Sequence, residues 1–303
     1  MKRRLSIVLI PVLCLISMIA YQKWNTPEIE INDMPAEIIA SDSNASTMEK
    51  DILILPEGER IQERFVPPGS YKRTVIPDDS FESYLRELPL KPHGSFVHYY
   101  DGTIKRRSNV YDAVVDMDIG ERDLQQCADA IMRLRAEYLY GQGRYDEILF
   151  HLTNGFPVDY QKWRNGYRIA LDGNRTYWVK KTNASDSYQD FRKYLNLVFA
   201  YAGTLSLSKE LEPITLSEMQ IGDVFIQGGS PGHAVIVVDM AEHNETGRRI
   251  FLLAQSYMPA QEIQILKNPM DEEISPWYTA DFEGPLQTPE WTFYSRDLKR
   301  FPN

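Results

Sequence analysis

Cysteine is nearly absent: the 303-residue chain carries two, Cys14 and Cys127. That excludes a disulfide-stapled scaffold and a cysteine-rich metal site. Histidine is also scarce, with five copies. His93, His98, His151 and His243 show no spacing typical of zinc ligation, so no metal and no cofactor is expected. Positive charge is in short supply, the formal net charge being −10. An acidic surface repels phosphate backbones and anionic lipid, which argues against a nucleic-acid partner. Internal repeats are missing. The Gly-rich string Gly228-Gly229-Ser230-Pro231-Gly232 lacks the following Lys and helix of a phosphate loop, and reads instead as a flexible lip beside His233.

Aromatic residues are plentiful, with 5 Trp, 18 Tyr and 12 Phe, which argues for a folded core over most of the length. Residues 1–22 open with Met1-Lys2-Arg3-Arg4 and continue uncharged from Leu5 to Tyr21, the pattern of an export signal or signal anchor. Cys14 lies inside that run and follows Leu13, so lipidation is not expected. Residues 23–70 are rich in Glu, Asp, Ser, Asn and Pro and read as a polar tether, with Ile52-Leu53-Ile54-Leu55 as a strand that docks on the domain. Residues 71–303 are expected to form a single domain. The expected location is outside the cytoplasmic membrane, periplasmic or anchored to its outer face, with membrane contact through the N-terminal segment alone.

Within the domain, Pro77-Asp78-Asp79-Ser80 offers N-cap residues for a short helix from Phe81 to Leu88, and Asp101-Gly102 marks a hairpin between 96–100 and 103–107. Asp123 is read as the cap of a long helix ending near Tyr140, and a second helix runs from about Ser187 to Ala202. The last third is strand-rich, including Val224–Ile226, Ala234–Met240, Ile250–Ala254 and Gln261–Leu266. Helices first and antiparallel strands later make an α+β class, helices packed on a mainly antiparallel sheet.

Cys127 falls near the start of the long helix, where backbone N–H groups and the helix dipole favour a thiolate. His233 opens an apolar strand. The strands 234–240 and 250–254 are joined by a short loop, so opposed residues should have numbers summing to roughly 490. That sets His233 against the neighbourhood of Gln255, Ser256 and Tyr257, and Gln255 has an amide oxygen able to accept from an imidazole N–H. Cys127 as nucleophile, His233 as base and Gln255 as orienter make a coherent set, with Gln125 or Gln126 as oxyanion donors and Ser256 and Tyr257 lining the cleft. Asp239 lies about 20 Å along the strand from His233, too far to orient it. A plainer reading stays open. Leu124, Cys127, Ile131, Leu134 and Tyr138 follow helical spacing, so Cys127 is equally readable as core, and His233 as a turn histidine.

Two resemblances go with these residues. The strings Leu124-Gln125-Gln126-Cys127-Ala128-Asp129-Ala130, Pro231-Gly232-His233-Ala234-Val235-Ile236-Val237-Val238-Asp239, Leu253-Ala254-Gln255-Ser256-Tyr257-Met258-Pro259-Ala260-Gln261 and Ser275-Pro276-Trp277-Tyr278 resemble an exported bacterial family, domain of unknown function 4846. That likeness runs from about Tyr71 to the C-terminus and implies no activity. Gly222-Asp223 entering a strand, then Gly232-His233 entering an apolar strand, with a Cys on an upstream helix, loosely resembles the NlpC and CHAP amidases. It implies a papain-like arrangement, Cys127, His233 and Gln255 in the roles above, and cleavage of amide bonds in a peptide or peptidoglycan-like substrate. The nucleophile of those enzymes commonly follows Asp or Asn directly, whereas Cys127 follows Gln126, and the stretch from Cys127 to His233 is long for them. The alternative is a non-catalytic envelope protein that binds its ligand with the same fold. Oligomeric state is not legible from the chain.

Overall fold

The computed structural model describes residues 51–302, Asn174 excepted. The expected signal segment and most of the expected tether lie outside the described residues. Four helices are used below: α1 Phe81–Arg86, α2 Cys127–Gly141, α3 Tyr188–Tyr201 and α4 Thr204–Glu210. Nine strands build the main sheet: β1 Tyr71–Arg73, β2 Tyr111–Val114, β3 Glu212–Pro213, β4 Val224–Gln227, β5 His233–His243, β6 Arg249–Gln255, β7 Gln264–Leu266, β8 Tyr278–Thr279 and β9 Leu298–Arg300. The order across it is β2-β7-β6-β5-β4-β9-β3, with β1 paired to β5 and β8 to β6. All the pairings are antiparallel. The fold is therefore α+β, with a few helices on a large antiparallel sheet.

β5 is the centre. Residues 233–241 are all buried, which is why 234–238 is an unbroken apolar run and not an alternating one. Helices α1 and α2 pack across it. Elsewhere in the core Phe225 and Phe251 stack, and Phe282, Phe293 and Tyr278 pack their rings against that pair. β5 and β6 pair in the expected register. Ile250 stands opposite Ala241, a bulge follows at Leu252–Leu253, and Ala254 stands opposite Ile236. The turn into β4 needs Gly222: its φ is +94°, and a Cβ there would lie 3.0 Å from the Phe81 ring.

Several boundaries differ from the sequence reading. Residues 51–70, assigned to the tether, belong to the domain: Leu53, Ile61 and Phe65 are core residues, Ile54 bridges to Phe65, and Trp277 Nε1 donates to Val66 O. Short apolar islands in a polar stretch proved to be docking points. The hairpin around Asp101-Gly102 shrinks to one bridge, His98 with Ile104, because Tyr99 and His98 turn to the segment 260–262. Asp123 does not cap α2. Its carboxylate accepts from Ala260 N and Gln126 Nε2, and the helix starts four residues later with Gln126 as its cap.

Asp239, set aside as an orienter, has a structural task. It is fully buried and receives both Arg86 Nε and Arg73 Nε at 2.7 Å, tying α1 and β1 to the central strand. Asp239→Ala would leave the buried Arg86 without its counter-charge. Chemical denaturation should show a loss of about 3–5 kcal/mol; a loss under about 1 kcal/mol would contradict this role for the pair.

Candidate functional site

Because α2 starts at Cys127, the thiol occupies the first helical position and not the second turn. Gln126 N donates to Asp129 Oδ2 at 3.0 Å, closing the cap, and Gln126 Nε2 donates to Asp123 Oδ1 at 2.9 Å. Helix and sheet meet here: the backbone amide of Ala234, next to His233, favours the Cys127 thiolate. Cys127 and His233 line one cavity of about 660 Å³, bounded by the start of α2, the α3–α4 corner, the 229–232 loop, Tyr257, Met258 and Trp291.

His233 is 1% exposed. Its Nε2 lies 2.8 Å from Gln255 Oε1. The direction of that bond follows from the next link, since Gln255 Nε2 donates to Glu290 Oε2 at 2.7 Å. A carboxylate accepts only, so the amide nitrogen faces Glu290 and the amide oxygen faces the ring. His233 must then carry its proton on Nε2, which leaves the Nδ1 lone pair free. Glu290, with its side chain 9% exposed, is held in turn by the buried Lys105 Nζ at 2.6 Å. Tyr257, Trp291 and Phe293 surround the ring at centroid distances of 4.7, 5.4 and 6.0 Å.

Electrostatics favour a neutral resting site. Burial, with a smaller contribution from Lys105, lowers His233 to about 4 against the raising effect of Gln255. Burial, followed by the Asp129 carboxyl, pushes the Cys127 thiol up to about 11, outweighing the backbone amides of Ala128, Ala234 and Cys127 that favour the thiolate. The sequence argument from the helix N-terminus had the opposite sign; desolvation of a residue that is 7% exposed reverses it. What the site offers is a thiol and a neutral imidazole base, not a preformed ion pair.

The remaining expected residues divide. Gln126 and Tyr257 line the cavity. Gln125 does not: its side chain turns away and accepts from Arg133 Nη1 at 2.6 Å. Ser256 is also buried behind the site, its hydroxyl donating to Gln261 O at 2.6 Å with Gln125 O at 3.2 Å as the alternative acceptor. The glycine-rich loop is packed and not loose. Gly229 N and Gly229 O both bond Thr204 Oγ1, and a Cβ on Gly232 would lie 2.4 Å from that same oxygen. Glu290 and Lys105 were missed. Glu290 stands just before the aromatic stretch 291–294 with no periodicity to mark it, and Lys105 was read as one arm of a hairpin.

Among the described residues no group of three or more His, Cys, Asp or Glu side chains is arranged to hold a metal ion. No helix among them is long and apolar enough to cross a membrane. No curated protein and no solved structure matches the chain. A family model does match, over residues 61–300, which takes in α2, the whole of β5 and β6, and the Glu290 segment. The chain belongs to the family described as domain of unknown function 4846.

Proposed function

We propose that this domain is a thiol hydrolase of the cell envelope, papain-like in the arrangement of its chemistry, that cuts an amide bond in a peptide or peptidoglycan-like substrate. The observation that supports it most is the relay Lys105–Glu290–Gln255–His233, which fixes an imidazole tautomer at a cavity that also holds a helix-start thiol. A packing histidine has no need of a three-residue chain that selects its tautomer. In the proposed reaction Cys127 Sγ attacks the amide carbonyl as its proton passes to His233 Nδ1. The imidazolium gives that proton to the departing amine, and water then cleaves the thioester. In this reaction the Cys127 backbone N–H and the Gln126 amide would receive the oxyanion. Export through residues 1–22, and a tether that holds the domain outside the membrane, complete the proposal.

A second reading, a binding protein that keeps the same cavity, draws support from the thiol. Its pKa is raised to about 11, and among the described residues no hydrogen bond joins the sulfur to the His233 ring. The two readings part on turnover. Incubated with muropeptides and with short peptides, the protein should release fragments bearing new amine and carboxyl ends, resolved by mass spectrometry. Binding of intact peptides with no release over a day would favour the binding protein.

A further inference from the structure

The cavity beside Cys127 has a one-sided charge pattern. Its acidic lining residues are Asp123 and Asp129, and among the described residues no Lys or Arg lines it. Asp123 is exposed to solvent, and its Oδ1 accepts from Ala260 N and Gln126 Nε2. Asp129 is half used. Its Oδ2 takes the Gln126 N–H, while Oδ1 is buried and has no partner among the described residues, in a residue 5% exposed. A buried acceptor without a donor is costly, and capping alone is served by Oδ2. Two residues along a helix separate the Cα atoms of Cys127 and Asp129 by about 5 Å. Phe199, Ala200, Thr204 and Leu205 add small and apolar wall to the same cavity.

We propose that Asp129 Oδ1 receives a positively charged amine of the substrate, so that Cys127 acts on amides carrying a primary ammonium within a few bonds of the scissile carbonyl. The inference rests on the hydrolase reading of Cys127 and adds what that reading leaves open, the class of substrate. Burial pushes the Asp129 carboxyl up to about 8. An ammonium at Oδ1 supplies both the missing donor and the missing counter-charge, and ionises the carboxyl as it arrives.

Two thiol reagents of similar size test this on the full-length protein. 2-Aminoethyl methanethiosulfonate and its neutral methyl analogue each give Cys127 a mixed disulfide. The new S–S bond replaces that of the reagent, methanesulfinate leaves with the electron pair, and the thiol proton goes to solvent. Rates at Cys127 are followed by peptide mapping at pH 7.5, and their ratio is divided by the ratio for a free model thiol. The expected preference for the aminoethyl reagent is about tenfold. It should fall to near one in Asp129→Asn. Because that change touches the helix cap, Ala200→Lys serves as a second variant: it sets a competing cation on the exposed rim of the cavity, leaves the cap intact, and should also abolish the preference. A wild-type ratio near one overturns the proposal, as does a preference that survives in folded Asp129→Asn. Protection of Cys127 from both reagents in the folded protein overturns the proposal together with the hydrolase reading; a fast reaction with no preference overturns the amine site alone.

Discussion

Cys127→Ala is expected to reduce amide cleavage by at least about 10⁴-fold, to the rate without protein. The thiol is the nucleophile of the proposed reaction, and deleting a sulfur at the first position of α2 leaves the helix cap, carried by Gln126 and Asp129, in place. His233→Ala should come close to the same loss, since members of a catalytic unit are not additive and the thiol would have no proton acceptor. Gln255→Ala should be milder, about ten- to hundredfold, because the ring keeps its packing against Tyr257, Trp291 and Phe293 and loses only the bond that selects its tautomer. Equal activity of wild type and Cys127→Ala against any cleaved substrate would place the chemistry elsewhere.

Glu290→Ala should damage fold and site together. Glu290 Oε2 receives both Lys105 Nζ and Gln255 Nε2. Removing it strands a lysine whose side chain is 3% exposed, and whose pKa burial already lowers against the support of Glu290. Among the described residues that ammonium would keep a hydrogen bond to Gln264 Oε1 at 3.3 Å and its place over the Tyr257 ring. Loss of one partner of such a buried pair costs about 3–5 kcal/mol, readable in a denaturant titration. The Gln255 amide also loses the acceptor that fixes which end faces His233, so folded Glu290→Ala should show reduced activity. Glu290→Gln can satisfy Lys105 or present an acceptor to Gln255, but a neutral amide no longer balances the ammonium, and it should fall between wild type and alanine on both measures. Lys105→Met combined with Glu290→Ala should recover much of the stability and none of the tautomer control.

Much of this site was legible because short-range rules govern it. The loop between β5 and β6 is short, so antiparallel register followed from counting, and it carried His233 to Gln255. The apolar run 234–238 marked a strand, and its burial on both faces is why it does not alternate. The start of α2 was misplaced because Asp123 is the stronger capping residue by type. Its carboxylate is claimed by Ala260, from a loop more than a hundred residues away in sequence, and Gln126 with Asp129 closes the helix instead. The same kind of long-range claim hid Glu290 and Lys105, whose partners lie 185 residues apart in the chain. Residues 51–70 were hidden by composition: a polar, Pro-containing stretch contributes Ile61 and Phe65 to the core, and average polarity does not see two well-placed side chains. Between α2 and α3 the chain forms two small hairpins, Leu149–His151 with Pro157–Asp159 and Tyr167–Asp172 with Arg175–Lys180, separate from the main sheet, and no signal in that stretch had been read as either.

The central claim is that His233, neutral and with Nδ1 free, takes the proton of Cys127. Alkylation of Cys127 by iodoacetamide in the folded protein, measured from pH 5 to 9 and mapped by mass spectrometry, tests it most directly. With His233 neutral above about 4 and the thiol at about 11, base-assisted attack needs no free hydroxide. The wild-type rate should be nearly flat from about pH 5 to 8, because the imidazole is available as base throughout that window. In His233→Ala the rate should be lower at neutral pH and climb about tenfold per pH unit, following the thiolate toward its high pKa. A wild-type profile that superimposes on His233→Ala, or a thiol that reacts only after unfolding, would contradict the account and leave Cys127 a core residue of a binding protein.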